Sequence, residues 1–413
     1  MSRQQITIPL DLADVNVLEV AYVGGAYQIK LESTLNYGYC RKCGQKITAL
    51  HERDEWVKVQ HLPILDRGVF LYFQPKRYRC LACDDQPTTT QQLAWHQPYS
   101  PHTVAYDQYL MRALVNATVE DVTHKEHVTY DSMLGVLARC VQTQVQWTRY
   151  STLNVLGIDE IALTKGQGDY VVIVSARQRA GTLSVVGVLP DRSEATVRAF
   201  LSSIPAPLRA TIKTVCCDMY ASYHQAVRAI LPHARLVVDR FHVARLYRDA
   251  VDTLRKSELK RLKRTLPVKI YRTLKGVLRA FRKHKDDLLP EELLLLDRLF
   301  ALSPTLAVAY ALREELTHIF DTAPGKNSAK RQLRAWQAKV RASGVDCFDT
   351  FLGTLDRFWN EITNYFIDFH TSGFVEGLNN KIKVLKRRCY GILNLGHLFQ
   401  RIFLDVEGYR HFA

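Results

Sequence analysis

Residues 153–239 alternate β-rich runs and helical periodicity in one fixed order, and that order leaves few folds open. NVLGIDEIAL, DYVVIVSA and TLSVVGVL are three β-rich runs parted by turns, which predicts an antiparallel meander. SEATVRAFLSSI reads as a helix opened by Ser193. TIKTVCCD follows as a fourth strand, YASYHQAVRAIL as a second helix and RLVVD as a fifth strand.

The sequence β-β-β-α-β-α-β is the order of an RNase H-like α/β core. Two of its strands carry acids in unexpected places. On the first strand Val155, Gly157, Asp159 and Ile161 share one face, and a carboxylate there is costly to bury without a partner or a metal. Asp218 ends TVCCDMY, at the carboxyl end of an apolar strand, where α/β sheets place ligands. A strand-end Asp is also a common helix cap.

A third acid heads the segment TSGFVEGLNNKIKVLKRRCYG, Thr371 to Gly391. Val375, Leu378, Ile382, Leu385 and Cys389 form a helical stripe, and Glu376, Asn380, Lys383 and Arg387 form the face beside it. A magnesium-binding carboxylate with cations behind it to hold phosphates has this layout. So does an ordinary surface helix with an acid at its start. Two hard divalent cations need several carboxylate oxygens at one point. Strands one and four of the core, with a later helix, would supply three.

Four of the nine cysteines form two C-x-x-C units, Cys40/Cys43 and Cys80/Cys83, with 36 residues between them. Each such turn offers two soft ligands, and two turns complete a tetrahedron, so one structural zinc is expected. With all four positions filled by protein the site would be closed, not catalytic. Arg41, Lys42, Lys46, Lys76, Arg77 and Arg79 lie nearby, which fits either a module that touches DNA or one that only supports its own fold. The other cysteines, Cys140, Cys216, Cys217, Cys347 and Cys389, are scattered in apolar surroundings, as expected in a reducing compartment.

Net charge is +15, which favours a polyanionic partner. The excess is concentrated: Arg240 to Lys285 holds sixteen Lys and Arg against three acids. A nucleic-acid track is the favoured reading of this run and a solvated helical surface the alternative. Candidate phosphate contacts are Arg245, Arg248, Arg255 and Lys256 here, and Lys381, Lys383, Lys386, Arg387 and Arg388 behind Glu376.

The 413 residues call for two to four domains. Residues 1–96 read as short strands and loops around the zinc site, closed by the linker QPYSPH. Residues 97–150 look helical, with amphipathic runs at Val104–Val115, from near Thr118, and from about Tyr130 to Val141. Within them 118–141 can form a helix-turn-helix. The stretch Pro101–Tyr150 has four Lys or Arg against five acids, so ordinary helical packing fits it equally well. The α/β core begins over 151–248. A helical insertion, 249–350, precedes the completing segment 351–413 with the final Glu. The expected class is thus multidomain α+β. No apolar stretch reaches membrane-spanning length, and the N-terminus lacks a signal-peptide pattern, so a cytoplasmic location is expected.

Taken together, these blocks resemble an insertion-sequence transposase of the ISL-three family, with a DDE-type catalytic core. The resemblance rests on the double C-x-x-C, GIDE with KGQGDY behind it, CDMYASYHQAV, VVDRFHVARL and SGFVEGLNNKIKVLKRRCYG, and covers nearly the whole chain. It implies that Asp159, Asp218 and Glu376 are the catalytic acids and bind two magnesium ions, with manganese as a substitute. It implies that the zinc module and the helix-turn-helix bind the transposon ends. Asp239 and His242, in DRFH, match a D-x-x-H pattern and would support the site or position DNA, with Asn380 a further supporting residue. A helix-capping Asp and a packed His are the plainer account of that pair.

The expected activity is metal-dependent cleavage at the element's inverted ends, followed by attack of the freed 3′-hydroxyl on target DNA. Double-stranded DNA is the expected partner, and a homodimer or larger assembly on the nucleoid the expected form. A regulator that binds the ends without cutting, and a nuclease acting on RNA–DNA hybrids or junctions, are the rival readings.

Overall fold

The computed structural model describes residues 7–162, 170–178, 181–369, 373–389 and 394–412. The chain divides into two compact units, residues 1–143 with 403–413, and residues 144–402. This is a coarser division than the five segments expected from sequence.

Among the described residues the first unit opens with nine strands: β1 (Val15–Val23), β2 (Ala26–Ser33), β3 (Gly38–Tyr39), β4 (Lys46–Ile47), β5 (Ala49–Arg53), β6 (Val57–Ile64), β7 (Arg67–Phe73), β8 (Lys76–Arg79) and β9 (Thr88–Thr90). Four of them form a sheet in the order β1-β2-β7-β6. The β1–β2 turn is Gly24-Gly25, both at positive φ, which a tight hairpin requires. Alternate residues Ile29, Leu31, Val59, Val69, Leu71 and Phe73 face one side and bury against Leu93 and Trp95. β5, β8 and β9 make a second small sheet and β3–β4 a separate hairpin. The segment after these strands is tied back to β6, where Gln60 N–H donates to Pro101 O at 2.8 Å.

Three helices follow, α1 (Val104–Leu114), α2 (Val119–Glu126) and α3 (Tyr130–Cys140). Thr118 and Asp121 form a capping box at the start of α2, and Thr129 caps α3. The turn between α2 and α3 is three residues long and begins with His127 in the left-handed region. Tyr106, Leu110, Leu114, Val122, Met133 and Leu137 pack into one cluster, which Phe403 and Leu404 complete.

The second unit contains β10 (Val155–Ala162), β11 (Tyr170–Arg177), β12 (Leu183–Leu189), α4 (Glu194–Ser203), α5 (Ala206–Arg209), β13 (Thr214–Cys217), α6 (Ala221–Ile230) and β14 (Arg235–Val238). The strand order is β12-β11-β10-β13-β14. The first three are an antiparallel meander, and β13 and β14 add parallel to β10. Leu156, Ile158, Val172 and Val174 turn to one face and pack with Val197 and Leu201 of α4 and Tyr223 and Val227 of α6. Val155, Cys216 and Val237 turn to the other face and join the core of the helical body.

That body runs through α7 (Arg240–Thr265), α8 (Val268–Arg272), α9 (Val277–Arg282), α10 (Pro290–Leu302), α11 (Pro304–Thr322), α12 (Lys326–Ser343), α13 (Asp349–Arg357) and α14 (Trp359–Asp368). Pro290 and Pro304 each occupy the first helical turn, where a missing N–H costs nothing. Trp336, Phe348, Phe351 and Tyr247 form its fully or almost fully buried centre. Two helices end the chain, α15 (Gly373–Arg388) and α16 (Leu395–Phe412). Among the described residues no helix is long and apolar enough to cross a membrane.

Candidate functional site

The parallel register decides where the acids go. Val155–Ile158 pair with Thr214–Cys217, and these pair in turn with Arg235–Val238. The residue after each ladder is an aspartate: Asp159, Asp218 and Asp239. Three neighbouring parallel strands therefore deliver carboxylates to one level at the carboxyl end of the sheet.

Each aspartate is held. Asp159 Oδ1 accepts the Glu160 N–H at 2.8 Å, and Asp159 Oδ2 accepts from Asn379 Nδ2 of α15. Asp239, only 4% exposed, caps α7 by accepting the Phe241 N–H at 3.0 Å. His242, one turn into α7, lies between two acids: its Nε2 is 3.8 Å from Asp218 Oδ2 and its Nδ1 3.3 Å from Asp239 Oδ2. The Nδ1 approach is an ion pair outside hydrogen-bonding geometry. The capping role and the charged role of the D-x-x-H pair thus coexist.

Electrostatics mark the site as short of positive charge. Burial raises the Asp159 pKa; the Glu160 N–H and His242 oppose this, and Asp239 and Asp218 add to it. Burial would lower the His242 pKa, but Asp239, Asp218 and Asp159 hold it up at about 9. Asp159 and Asp218, hard oxygen donors brought to neighbouring strand ends, suit a divalent cation by donor chemistry.

Glu376 lies in the first turn of α15, and its side chain is outside the described residues. The helix buries Leu378, Ile382 and Leu385, each at 3% exposure or less. Asn380, expected to support the site, is exposed; its neighbour Asn379 is the buried residue that reaches Asp159. The sequence contained a signal for Asn379, since i+3 from Glu376 is as near in phase as i+4. A second missed feature is Arg192, which pairs with Glu160 at 3.2 Å and lies 4.8 Å over the Tyr220 ring.

The cysteine pairs sit in the turns of two hairpins, Cys40/Cys43 between β3 and β4 and Cys80/Cys83 between β8 and β9. Gly44, at φ +71°, lets its N–H turn back to Cys40 O at 2.9 Å. All four sulfurs lie within 4.8 Å of one another, with Cys80–Cys83 at 3.7 Å, Cys43–Cys80 at 3.8 Å and Cys40–Cys83 at 4.0 Å. Sulfurs about 2.3 Å from a tetrahedral ion stand about 3.8 Å apart, so this cluster fits a bound metal and is consistent with zinc. The backbone N–H groups of Cys43 and Lys42 pull the Cys40 thiol down to about 6, toward the thiolate a metal needs. Among the described residues no other set of three or more Cys, His, Asp or Glu ligand atoms closes to that distance.

Most cations around the cysteines are engaged. Lys76 is 6% exposed and donates to Ser33 O at 2.7 Å, Arg77 pairs with Glu52, Lys42 pairs with Asp85, and Lys46 lies over the Tyr37 ring. Arg139, the basic residue of α3, is held by Asp107. Of the candidate phosphate contacts, Arg255 is 5% exposed and bound to Asp252, so it serves the helical body instead of the surface. Lys256 also pairs with Asp252, and Arg245 with Asp249. Lys386 donates to Ala162 O at the end of β10. Arg248, Lys381, Lys383 and Arg387 are exposed, and Arg388 is half-buried. Lys260, Lys263, Arg264, Lys269, Arg272, Lys275 and Arg279 continue the exposed basic run.

A protein-family model described as a transposase, of the ISL-three type, matches residues 156–402. The transposase for insertion sequence element IS1001 of Bordetella parapertussis is 28% identical over 387 residues, 93% of each chain. The transposase for insertion sequence element IS1557 of Mycobacterium tuberculosis is 23% identical over 391 residues, 90% of this chain and 86% of that one. The matched region ends at the same residue as the second compact unit.

Proposed function

Because the chain belongs to the ISL-three family of transposases, we propose that it cleaves DNA at the inverted ends of an insertion sequence and joins the freed 3′-hydroxyl to target DNA. The observation that carries this reading is the shared level at which β10 and β13 end on Asp159 and Asp218. The strand order, a meander followed by two parallel strands, supports an RNase H-like core.

In this reading Asp159, Asp218 and Glu376 hold two magnesium ions, with manganese as a substitute. Bound there, the ions would polarise the scissile phosphate and ease formation of the attacking oxygen nucleophile. Asp239 and His242 support the site, with the His242 imidazole set between Asp239 and Asp218. Lys381, Lys383, Arg387 and Arg388, with Arg248 and the exposed cations of 260–279, grip the phosphate backbone. The four cysteines hold one structural zinc. The α2–α3 pair is a helix-turn-helix; its exposed charges, Glu120, Asp121 and Asp131 against Lys125, are net acidic, so end binding there would run through polar and shape contacts and not through charge. Two ends must meet, so the working form is at least a homodimer, acting on nucleoid DNA in the cytoplasm.

The test is a cleavage assay on DNA spanning the borders of the element, with magnesium, beside Glu376→Gln and Asp159→Asn. Nicks at the inverted ends that vanish in both variants, with end binding retained, are expected. End binding without cleavage by the unaltered chain, in magnesium or manganese, would sink the proposal. Cleavage of hybrids or junctions without end sequences and without joining would point to a nuclease instead.

A further inference from the structure

One side chain near the acids has no role in the reading above. Asn379 is 6% exposed, its Nδ2 donates to Asp159 Oδ2, and its own Oδ1 is buried with no hydrogen-bond partner among the described residues. The other Asp159 oxygen accepts the Glu160 N–H, so both oxygens of this carboxylate are oriented, one by its own strand and one by α15. Leu378, Ile382 and Leu385 bury the same helix around that bond. An amide that donates to a buried carboxylate while its acceptor stays unpaired is poorly satisfied in the chain alone. A hydrated cation on Asp159 would bring the donor that this oxygen lacks.

We infer that Asn379 is a positioning residue for the acid site. It locks the Asp159 carboxylate and sets the register of α15 against β10. Glu376 stands one turn earlier on the same helix, so the bond also fixes where the third acid is presented. The first and last acids, far apart in sequence, are thereby aligned through one amide. This inference rests on the acid-site reading proposed above.

The readout is manganese binding by the full chain without DNA, followed by electron paramagnetic resonance, for the unaltered protein, Asp159→Asn and Asn379→Leu. Leucine keeps the branched heavy-atom shape of the amide and removes its hydrogen bonds. Asn379→Leu should weaken manganese binding by about ten-fold or more. It should raise the metal concentration needed for half-maximal cleavage by the same factor, restore most of the rate at saturating metal, and leave end binding unchanged. If Asp159→Asn loses manganese while Asn379→Leu binds it as the unaltered chain does, the positioning role is wrong and the acid site stands. If Asp159→Asn binds manganese normally, the acid-site reading falls and this inference with it. Should the leucine variant fail to fold, Asn379→Ala, which adds no bulk, is judged by the same outcomes.

Discussion

Arg139 closes on the Asp107 carboxylate with two nitrogens, Nε and Nη2, each 2.9 Å from an oxygen. The same carboxylate lies 2.9 Å from His102 Nδ1, and His102 Nε2 reaches Ser132 Oγ at 3.2 Å. Asp107 is on α1 and Arg139 and Ser132 are on α3, so this network braces the two helices. It also explains why Arg139 adds no positive charge to the outer face of α3: its guanidinium is turned inward. Asp107→Ala leaves Arg139 without its counter-charge and should destabilise the first unit by about 3 kcal/mol. Denaturant unfolding of the variant and the unaltered chain would measure this. A change below about 0.5 kcal/mol would mean that the network contributes no more than a surface pair.

Metal analysis of protein purified without added zinc should give about one zinc per chain. Cys43→Ser or Cys80→Ser should abolish it, and a strong chelator should lower the unfolding temperature. Folded protein with under a tenth of that zinc would exclude the structural metal.

Acid should weaken the helical body through Asp252. Burial pushes its carboxyl up, but hydrogen bonds from Arg282, Arg255 and Lys256 and the Arg255 charge hold it well below the usual carboxylate range. A depressed folded value means that the unfolded chain binds the proton first. The stabilisation is therefore complete above the unfolded value of about 4 and is lost as pH falls below it. Asp252→Asn should cost about 2 kcal/mol at pH 7, and the gap to the unaltered chain should close in strong acid. A gap that does not change with pH would contradict the assignment.

DNA affinity should depend on the exposed cations and not on Arg255. Replacing Lys260, Lys263 and Arg264 together with alanine should shallow the plot of log affinity against log salt, by about 0.9 for each phosphate no longer neutralised. Arg255→Ala should instead lower the unfolding midpoint and leave the salt slope of the remaining folded protein as it was. An unchanged slope in the triple variant would place the phosphate track elsewhere.

The strands of the second unit were legible because β-branched runs and turn residues alternate cleanly, and their ends located Asp159 and Asp218. Ser193, Thr118, Pro290 and Pro304 mark helix starts by local hydrogen-bonding or backbone logic, which a sequence carries openly. Asn379 was harder. Asn379 and Asn380 share a helical face with Glu376, and only packing of Leu378, Ile382 and Leu385 decides which amide is buried. Arg255 was misjudged because a count of charges ignores pairing, although Asp252 one turn earlier was a visible partner. The attachment of Phe403 and Leu404 to the first unit has no local signal, since it joins residues nearly 300 positions apart.

That attachment bears on the birth of the protein. A ribosome makes the α1–α3 cluster early, yet Phe403 and Leu404 leave it far later. Asp159 likewise waits for Asn379. Vectorial synthesis would let most domains finish folding in turn, but here both units are closed by residues translated late. A chain that stops before residue 379 would lack a closing piece at both the acid site and the helical cluster. Core side chains of the first unit, Leu110 and Leu114 among them, would stay uncovered until Phe403 and Leu404 arrive.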